Sequence, residues 1–312
     1  MEILFTFDEI DKVKDKFDID LDSAIHQLLF LEDLNYSNVF DVLKTRFEIV
    51  DNVIKSGLKY PSYTYSSLSY YHREIKRMMR SDASSQNQEE MLSLLNVLLC
   101  SIYNHMCYLV EKANYNKAND NILVFEACPS DLRMIRSRDE ALKIKNLAVA
   151  NNINPITRFG TNINAFKNTC NDYRIDYLHF AGHGEGNGDL ALVGNDGRKR
   201  FLGFDAFEKY FSNEYAGLKS GSFIKNIFLN SCNSDKFANK IHGSHLISGL
   251  FVRSVSHHGE NPDAYAIEFA DLFYSDMFIS MSIQNGFDYA KGNFSASLTT
   301  AKNEYANNAI LV

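Results

Sequence analysis

The first 118 residues show the hydrophobic period of α-helices. The stretches LDSAIHQLLFLEDL and NVFDVLKTRFEIVDNVIKSG place apolar residues three and four positions apart, which puts them on one face of a helix. A polar loop is expected over residues 81–90, followed by a long helix that runs through Val110. This pattern predicts an all-helical domain over residues 1–118.

From residue 119 onward the apolar residues instead form short continuous runs separated by amphipathic segments. Runs of this kind are typical of strands that are buried on both faces of a parallel sheet. We predict four such strands: NILVFEACP, INPITRFG, IDYLHFAG and KNIFLNSCNS. Because predicted helices alternate with these strands, residues 119–312 are expected to form an α/β domain with a mostly parallel sheet.

Helices and one hairpin complete this predicted domain. A helix over residues 130–152 follows the first strand, and Ser130 or Asp131 is its expected N-cap. The Asn-Asp-Gly sequence at residues 195–197 is a tight-turn signal, which predicts a hairpin of two short strands. Two further helices are expected over residues 262–294.

The charge of the chain argues against broad nucleic-acid binding. The 312 residues carry a net charge of −7, with a pI of about 5.7, whereas non-specific binding to phosphates needs a basic face. One segment, YPSYTYSSLSYYHREIKRMMR, does combine tyrosines with Arg73, Lys76, Arg77 and Arg80. Stacking and cationic side chains bind single-stranded nucleic acid, so a nucleic-acid or nucleotide sensor is an alternative. The simpler interpretation is an amphipathic helix with a solvated basic face.

Cysteine usage and the N-terminal residues predict a cytoplasmic protein. There are five cysteines, an odd number, and the first residues turn acidic without the basic and apolar regions of a signal peptide. One uncharged stretch, Met91–Val110, is about as long as a membrane span. Its polar residues are costly in lipid: Ser93, Asn96, Ser101, Asn104 and His105. We therefore expect a buried helix, no membrane and a reducing compartment.

Two consecutive predicted strands end in residues that are capable of nucleophilic chemistry. IDYLHFAG runs into His183, and KNIFLNS runs into Cys232. Neighbouring strands lie about 4.8 Å apart, and open α/β sheets bind ligands beyond the carboxyl ends of their strands. A cysteine attacks a carbonyl as the thiolate while a histidine transfers the proton, so we predict this dyad. Cys128 also ends a predicted strand, but no histidine is placed beside it by the same reasoning.

The glycines on either side of His183 fit the same chemistry. The tetrahedral intermediate of acyl transfer needs backbone N–H donors for its oxyanion, and Gly184 and Cys232 are the candidates. Because Gly182 and Gly184 lack Cβ atoms, we expect the backbone to turn sharply there and to admit a peptide chain closely.

The segments YLHFAGHG and NIFLNSCNS resemble the two catalytic motifs of the CHAT family of caspase-like cysteine peptidases. In that family one strand ends in a His-Gly pair and the next core strand ends in the cysteine, as His183-Gly184 and Cys232-Asn233-Ser234 do here. The tail, NPDAYAIEFADLFYSDMFISMSIQNGFDYA, is similar to the family's closing stretch. The resemblance covers residues 120–312 and implies a caspase-like α/β/α sandwich with a Cys-His dyad and no metal or cofactor. Asn230-Ser231 and the polar segment 235–258 depart from the family's usual pattern.

The resemblance also has implications for the substrate. Peptidases of this type use acidic residues to hold a basic side chain before the cleaved bond, and Asp263 stands where the family's tail has its aspartate. The alternative is that Asp263 serves the N-terminus of the helix that it opens. Further substrate-binding candidates are Glu260, Asp235, His257 and His258.

The resemblance extends to a biological setting. Small CHAT proteases often act in bacterial defence, so it implies an effector that a partner protein or a signal switches on. The substrate would be a specific protein, in some systems a gasdermin-like pore former, and the helical domain would inhibit, recruit or sense. The alternative from another class is a non-catalytic caspase-like binding or scaffold module, against which the intact His183 and Cys232 argue.

Two histidine patterns raise metal binding as an alternative. His179 and His183 are four residues apart, but on a strand this spacing does not bring two ligands easily to one ion, and His179 is expected to be half-buried and structural. Four histidines after Cys232 offer a possible zinc site: His242, His245, His257 and His258. We expect a solvated loop beside the cleft instead, and no metal.

Overall fold

The chain folds into two compact units. One contains residues 1–115 and 195–198, and the other contains residues 116–194 and 199–312. The structure, a computed structural model, describes residues 2–3, 7–17, 30–31, 70, 72–77, 85–133, 135–211, 224–243, 253–257, 259, 262–296 and 300–311. The domain boundary expected at residue 118 stays a prediction.

In the N-terminal unit the described residues form helices and one small antiparallel strand pair. Helix α1 spans Phe7–Phe17 and helix α2 spans Ser85–Asn114. Strand β1 (Glu2–Ile3) pairs with strand β2 (Phe30–Leu31). The prediction of an all-helical domain is therefore wrong at β2, where backbone pairing with β1 overrides the helical spacing of the apolar residues. The helix predicted over residues 38–57 lies outside the described residues.

Helix α2 contains the uncharged stretch. It begins at Ser85, inside the polar segment that was expected to form a loop. Over Ser93–Asn114 it is long and apolar enough to cross a membrane, but 62% of this window is buried within the protein. Core helices of soluble proteins show the same composition, so the window is weak evidence for a span, and the cytoplasmic location stays a prediction. Burial lowers the pKa of His105 to about 4, so its imidazole is neutral at pH 7.

The tyrosine-rich basic segment is described mainly over residues 72–77, which are helical. Ile75 is buried, whereas Arg77 is exposed and its Nε donates to Glu74 Oε2 at 3.0 Å. This arrangement agrees with an amphipathic helix that has a solvated basic face. Arg80 lies outside the described residues.

The second unit is built on a six-stranded sheet. The described strands of the unit, which include a separate two-stranded hairpin, are in chain order β3 (Asn121–Ala127), β4 (Asn154–Arg158), β5 (Tyr177–Gly182), β6 (Leu190–Val193), β7 (Lys199–Leu202), β8 (Asn226–Asn230), β9 (Arg253–His257) and β10 (Ala309–Leu311). The sheet has the order β4-β3-β5-β8-β9-β10, and only the β9–β10 pair is antiparallel. The predicted, mostly parallel sheet is confirmed. Strands β6 and β7 form the predicted hairpin.

Helices cover both faces of this sheet. In chain order they are α3 (Ser137–Ala150), α4 (Ile163–Asp172), α5 (Phe204–Phe211), α6 (Asp235–Gly243), α7 (Asp263–Ser280), α8 (Ile283–Ser295) and α9 (Thr300–Asn308). On one face Phe207 of α5 packs between Phe166 of α4 and Phe237 of α6, with ring centroids 5.9 and 5.0 Å away. On the other face Phe228 of β8 lies 5.0 Å from Phe273 of α7. The unit is an α/β sandwich.

Helix α3 begins later than its sequence predicts. It starts at Ser137, with Arg136 at the N-cap, rather than near residue 130. Asp131, an expected cap, instead accepts a hydrogen bond from the backbone N–H of Lys199 at 2.7 Å. This long-range bond takes the carboxylate away from the helix start, and the described residues between Asp131 and α3 form irregular backbone.

Candidate active site

The two motif strands are neighbours in the sheet. Strand β5 pairs with β8 in parallel, with Ala181 opposite Asn230. His183 directly follows β5, and Cys232 comes two residues after β8 ends. Strands β4 and β5 flank β3 on opposite sides, so the strand order reverses beside β5, which is where open α/β sheets bind ligands. Both motif residues therefore lie at the edge of the sheet that is suited to a binding site.

The backbones of the two motifs touch at Gly184. A Cβ atom built on Gly184 would lie 2.1 Å from the carbonyl oxygen of Cys232 and 3.1 Å from Ser231 Oγ. A Cβ built on Gly182 would lie 2.6 Å from the carbonyl oxygen of Ala127 in β3. Neither glycine has a positive φ, so a sharp left-handed turn is not the reason for them. Both are needed because neighbouring backbone passes too close to admit a side chain.

The ring of His183 is oriented by a backbone carbonyl. Its Nε2 lies 2.7 Å from the carbonyl oxygen of Arg133, in the loop between β3 and α3. A carbonyl oxygen can only accept, so Nε2 carries the hydrogen and donates it. In the neutral ring Nδ1 then holds the lone pair and is the nitrogen available to take a proton. The side chain is half-buried, which leaves one side of the ring accessible.

The backbone N–H of Gly184 is available to a ligand. Gly184 forms a single antiparallel bridge with Leu190, in which Ala191 N–H donates to His183 O and Glu185 N–H donates to Asp189 O. In this bridge geometry the N–H and C=O of Gly184 point away from the hairpin. Within the described part of the chain its N–H donates to no group. This is the property that an oxyanion donor requires.

Cys232 is half-buried in a tight connection between β8 and α6. The turn places Asn233 at a φ of 54°, and the N–H of Asn233 donates to Gly259 O at 3.0 Å. Ser234 Oγ donates to Leu229 O at 2.8 Å and accepts from His257 N–H at 3.0 Å, which joins the turn to β9. Helix α6 begins at Asp235, three residues after Cys232, so the turn that contains Cys232 directly precedes the N-terminus of this helix.

A buried polar cluster links the end of β8 to the helices that cover one face of the sheet. Asn230 Nδ2 donates to Glu140 Oε1 at 2.5 Å and to Ala266 O at 3.0 Å, linking β8 to α3 and α7. His179 Nε2 lies 2.8 Å from the same Glu140 oxygen, although the angles do not form a hydrogen bond. His179 is fully buried rather than half-buried as predicted, because α7 covers this face of β5 and packs Tyr274 against the ring.

Asp263 lies at the same edge of the sheet as His183 and Cys232. It is the half-exposed first residue of α7. Its charge contributes to the pKa of the Cys128 thiol at the end of β3, which burial, then Glu126 and then Asp263 raise to about 11. Among the described residues no group forms a hydrogen bond or an ion pair with this carboxylate.

The other substrate-binding candidates are buried or undescribed. Asp235 is 8% exposed on the first turn of α6, where the helix dipole favours a carboxylate. His257 is 3% exposed, and its ring centroid lies 4.3 Å from that of Tyr305. His258 and Glu260 lie outside the described residues. The roles predicted for these four residues stay predictions, with the buried positions of Asp235 and His257 less suited to substrate contact.

The carbonyl of Arg133 is the functional group that sequence reasoning missed. A backbone carbonyl leaves no trace in residue identity, and the predicted helix over residues 130–152 would have used it internally. One local signal does mark the observed helix start: Ser137 and Glu140 have the three-residue spacing of a capping box. In the structure Ser137 Oγ donates instead to the buried Glu126 of β3 at 2.7 Å.

Metal ligands and disulfides do not define this site. In the part of the chain that the structure describes, no three or more His, Cys, Asp or Glu residues are grouped to hold a metal ion. None of the five cysteines forms a disulfide. His242 is exposed on α6, and His245 lies outside the described residues.

No family model matches the chain, and no curated protein has a significantly similar sequence. The function is therefore proposed from the geometry of the site together with the motifs.

Proposed function

We propose that the chain is a cysteine endopeptidase in which Cys232 is the nucleophile and His183 transfers protons. The observation that carries this proposal is the contact of the two motifs: Gly184 abuts the Cys232 backbone while a carbonyl at 2.7 Å orients the His183 ring. The caspase-like α/β/α sandwich of the CHAT peptidases is part of the proposal. It is supported by the adjacency of β5 and β8 and by the helices on both faces of the sheet.

The first half of the reaction forms a thioester. His183 Nδ1 takes the proton of Cys232 Sγ, and the sulfur adds to the carbonyl carbon of the substrate peptide. The N–H of Gly184, with that of Cys232 as the second candidate, donates to the resulting oxyanion. The imidazolium then returns its proton to the amide nitrogen, the C–N bond breaks, and the amine leaves.

The second half releases the acid and regenerates the enzyme. His183 Nδ1 takes a proton from a water molecule, whose oxygen adds to the thioester carbonyl. The C–S bond breaks, and the imidazolium protonates the departing thiolate. No step of this reaction needs a metal, an oxidant or an organic cofactor.

The preferred substrate has a basic residue before the cleaved bond. Asp263 supports this part of the proposal because its carboxylate is half-exposed, acts on the Cys128 thiol at the same sheet edge, and pairs with no described residue. An arginine or lysine side chain would complete a charge-assisted pair there.

The biological setting follows from the motif resemblance alone. We propose a bacterial defence effector that a partner protein or a signal switches on. Its substrate would be a specific protein, with a gasdermin-like pore former as one candidate, and the N-terminal unit would inhibit, recruit or sense.

The direct test is cleavage of a diverse peptide library by the full chain, with the cut positions read by mass spectrometry. Cys232→Ala and His183→Ala are expected to abolish cleavage, and Asp263→Asn is expected to weaken the preference for arginine and lysine. His242→Ala, which alters an exposed histidine on α6, is the matched control and should leave cleavage unchanged.

The outcomes separate the competing functions. Cleavage that survives in Cys232→Ala would reject the dyad. A silent wild type whose Cys232 still reacts with a peptide-based alkylating probe indicates a latent peptidase, and the search moves to its activator. If nothing is cut and Cys232 is no more reactive than the other thiols, the binding-module alternative replaces the peptidase.

A further inference from the structure

Two contacts fix the loop that orients His183. In the first, Asp131 Oδ1 accepts from the backbone N–H of Lys199 at 2.7 Å. In the second, the carbonyl oxygen of Arg133, two residues further along the loop, lies 2.7 Å from His183 Nε2. The loop is therefore anchored two residues before the carbonyl that binds the histidine ring.

The partner of the first contact is the hairpin of β6 and β7. Its backbone donates from Ala191 to the carbonyl oxygen of His183 at 2.9 Å and from Lys199 to Asp131 at 2.7 Å. The same hairpin thus holds the backbone of the histidine and the loop that orients its ring. The relative position of ring and carbonyl depends on both bonds.

We propose that Asp131 is a positioning residue that fixes the tautomer and orientation of His183 through the carbonyl of Arg133. Asp131 acts through this loop and not on the substrate. The inference rests on the proposed function for its effect on rate, but its effect on the imidazole ring stands apart from any activity.

Loss of the Asp131 contact has a defined consequence for the ring. Without it the loop is held by fewer bonds, and the Arg133 carbonyl samples positions farther from Nε2. The Nε2–H tautomer then loses its stabilising acceptor, and the form with hydrogen on Nδ1 becomes populated. That form cannot take the proton of Cys232. Because Asp131 is exposed and water competes for its partner, we expect an effect on rate of about fivefold to tenfold.

The experiment compares three variants of the full chain labelled with ¹⁵N-histidine. Asp131→Ala removes the acceptor, Asp131→Asn keeps an oxygen at the same place, and Asp205→Ala removes another exposed carboxylate as the control. The ring-nitrogen shifts of His183, assigned by their loss in His183→Ala, report its tautomer. The wild type should show hydrogen on Nε2, Asp131→Ala a mixture, and Asp131→Asn a return towards wild type. In peptide cleavage, kcat should fall in Asp131→Ala while KM is unchanged.

The two readouts keep the inference and the proposed function apart. Altered ring shifts in Asp131→Ala support the inference even if no peptide is cut. Unaltered shifts and an unaltered kcat overturn it, even if the wild type is an active peptidase. Should Asp131→Ala fail to fold, Asp131→Lys, which also removes the acceptor, tests the contact by the same shifts. Wild-type-like His183 shifts in Asp131→Lys would then reject the inference.

Discussion

The contact between Gly184 and Cys232 predicts a large effect from the smallest possible side chain. An alanine at position 184 would place its Cβ 2.1 Å from the Cys232 carbonyl oxygen, whereas ordinary contact begins at 3.4 Å. The two segments must separate by the difference, about 1.3 Å, and the obstructing atom is backbone, which cannot swing aside. Overpacking of this kind costs about 1–3 kcal/mol of unfolding free energy. A displacement of about 1 Å between His183 and Cys232 should lower the rate of the reaction that they carry out together by about a hundredfold.

Gly186→Ala is the matched control in the same loop. A Cβ on Gly186 meets nothing within 4 Å, and this glycine does not have a positive φ. We expect the unfolding free energy of Gly186→Ala to remain within about 1 kcal/mol of wild type, and the rate of Cys232 alkylation to be unchanged. The chain has no tryptophan, so unfolding in urea is followed by circular dichroism, and alkylation is followed by peptide mass spectrometry. If Gly184→Ala matched Gly186→Ala in both assays, the two motifs would not be in the contact described.

The remaining predictions concern buried polar groups, each in one experiment. Asn230→Ala removes a donor from the buried Glu140 and should cost about 1–3 kcal/mol in urea unfolding, whereas Asn293→Ala, at an exposed hydrogen bond, should cost little. His105 has a folded pKa of about 4, below its unfolded value, so the unfolded state binds more protons between about pH 6.5 and 4. The unfolding free energy of the wild type should fall by up to about 3 kcal/mol as the pH drops through that window. The unfolding free energy of His105→Gln should fall by less over the same range. The pKa of Cys128, raised to about 11 chiefly by burial, predicts slow alkylation at pH 8 that accelerates towards pH 11. Wild-type-like pH dependence in His105→Gln, or fast labelling of Cys128 at pH 8, would contradict these assignments.

The core strands, and the sheet edge at which His183 and Cys232 lie, could be predicted from the sequence because their signals are local. The segments that form β3 and β8 are apolar runs, the segment that forms β5 is rich in strand-forming residues, and all three are closed by glycine, proline or polar residues. The positions of His183 and Cys232 follow from where two of those runs end. Parallel order then brings them to one edge without further information.

Other elements depend on long-range contacts that local spacing does not report. Asp131 is a good N-cap by residue type, but its partner is Lys199, 68 residues away. Strands β2 and β10 are two and three residues long, too short for a period to emerge, and exist because they pair with β1 and β9. The burial of His257 likewise depends on Tyr305 of α9, an element that the sequence did not predict.

The most direct measurement is the rate at which a small alkylating reagent labels each of the five cysteines at pH 7.5, in wild type and in His183→Ala. Cys232 should be labelled fastest in the wild type, because it is only half-buried and the proposed dyad gives it His183 as a proton acceptor. His183→Ala should slow Cys232 alone and leave Cys128 unchanged. If Cys232 reacted no faster than the other four thiols, and if the loss of His183 made no difference, the two residues would not form a catalytic dyad.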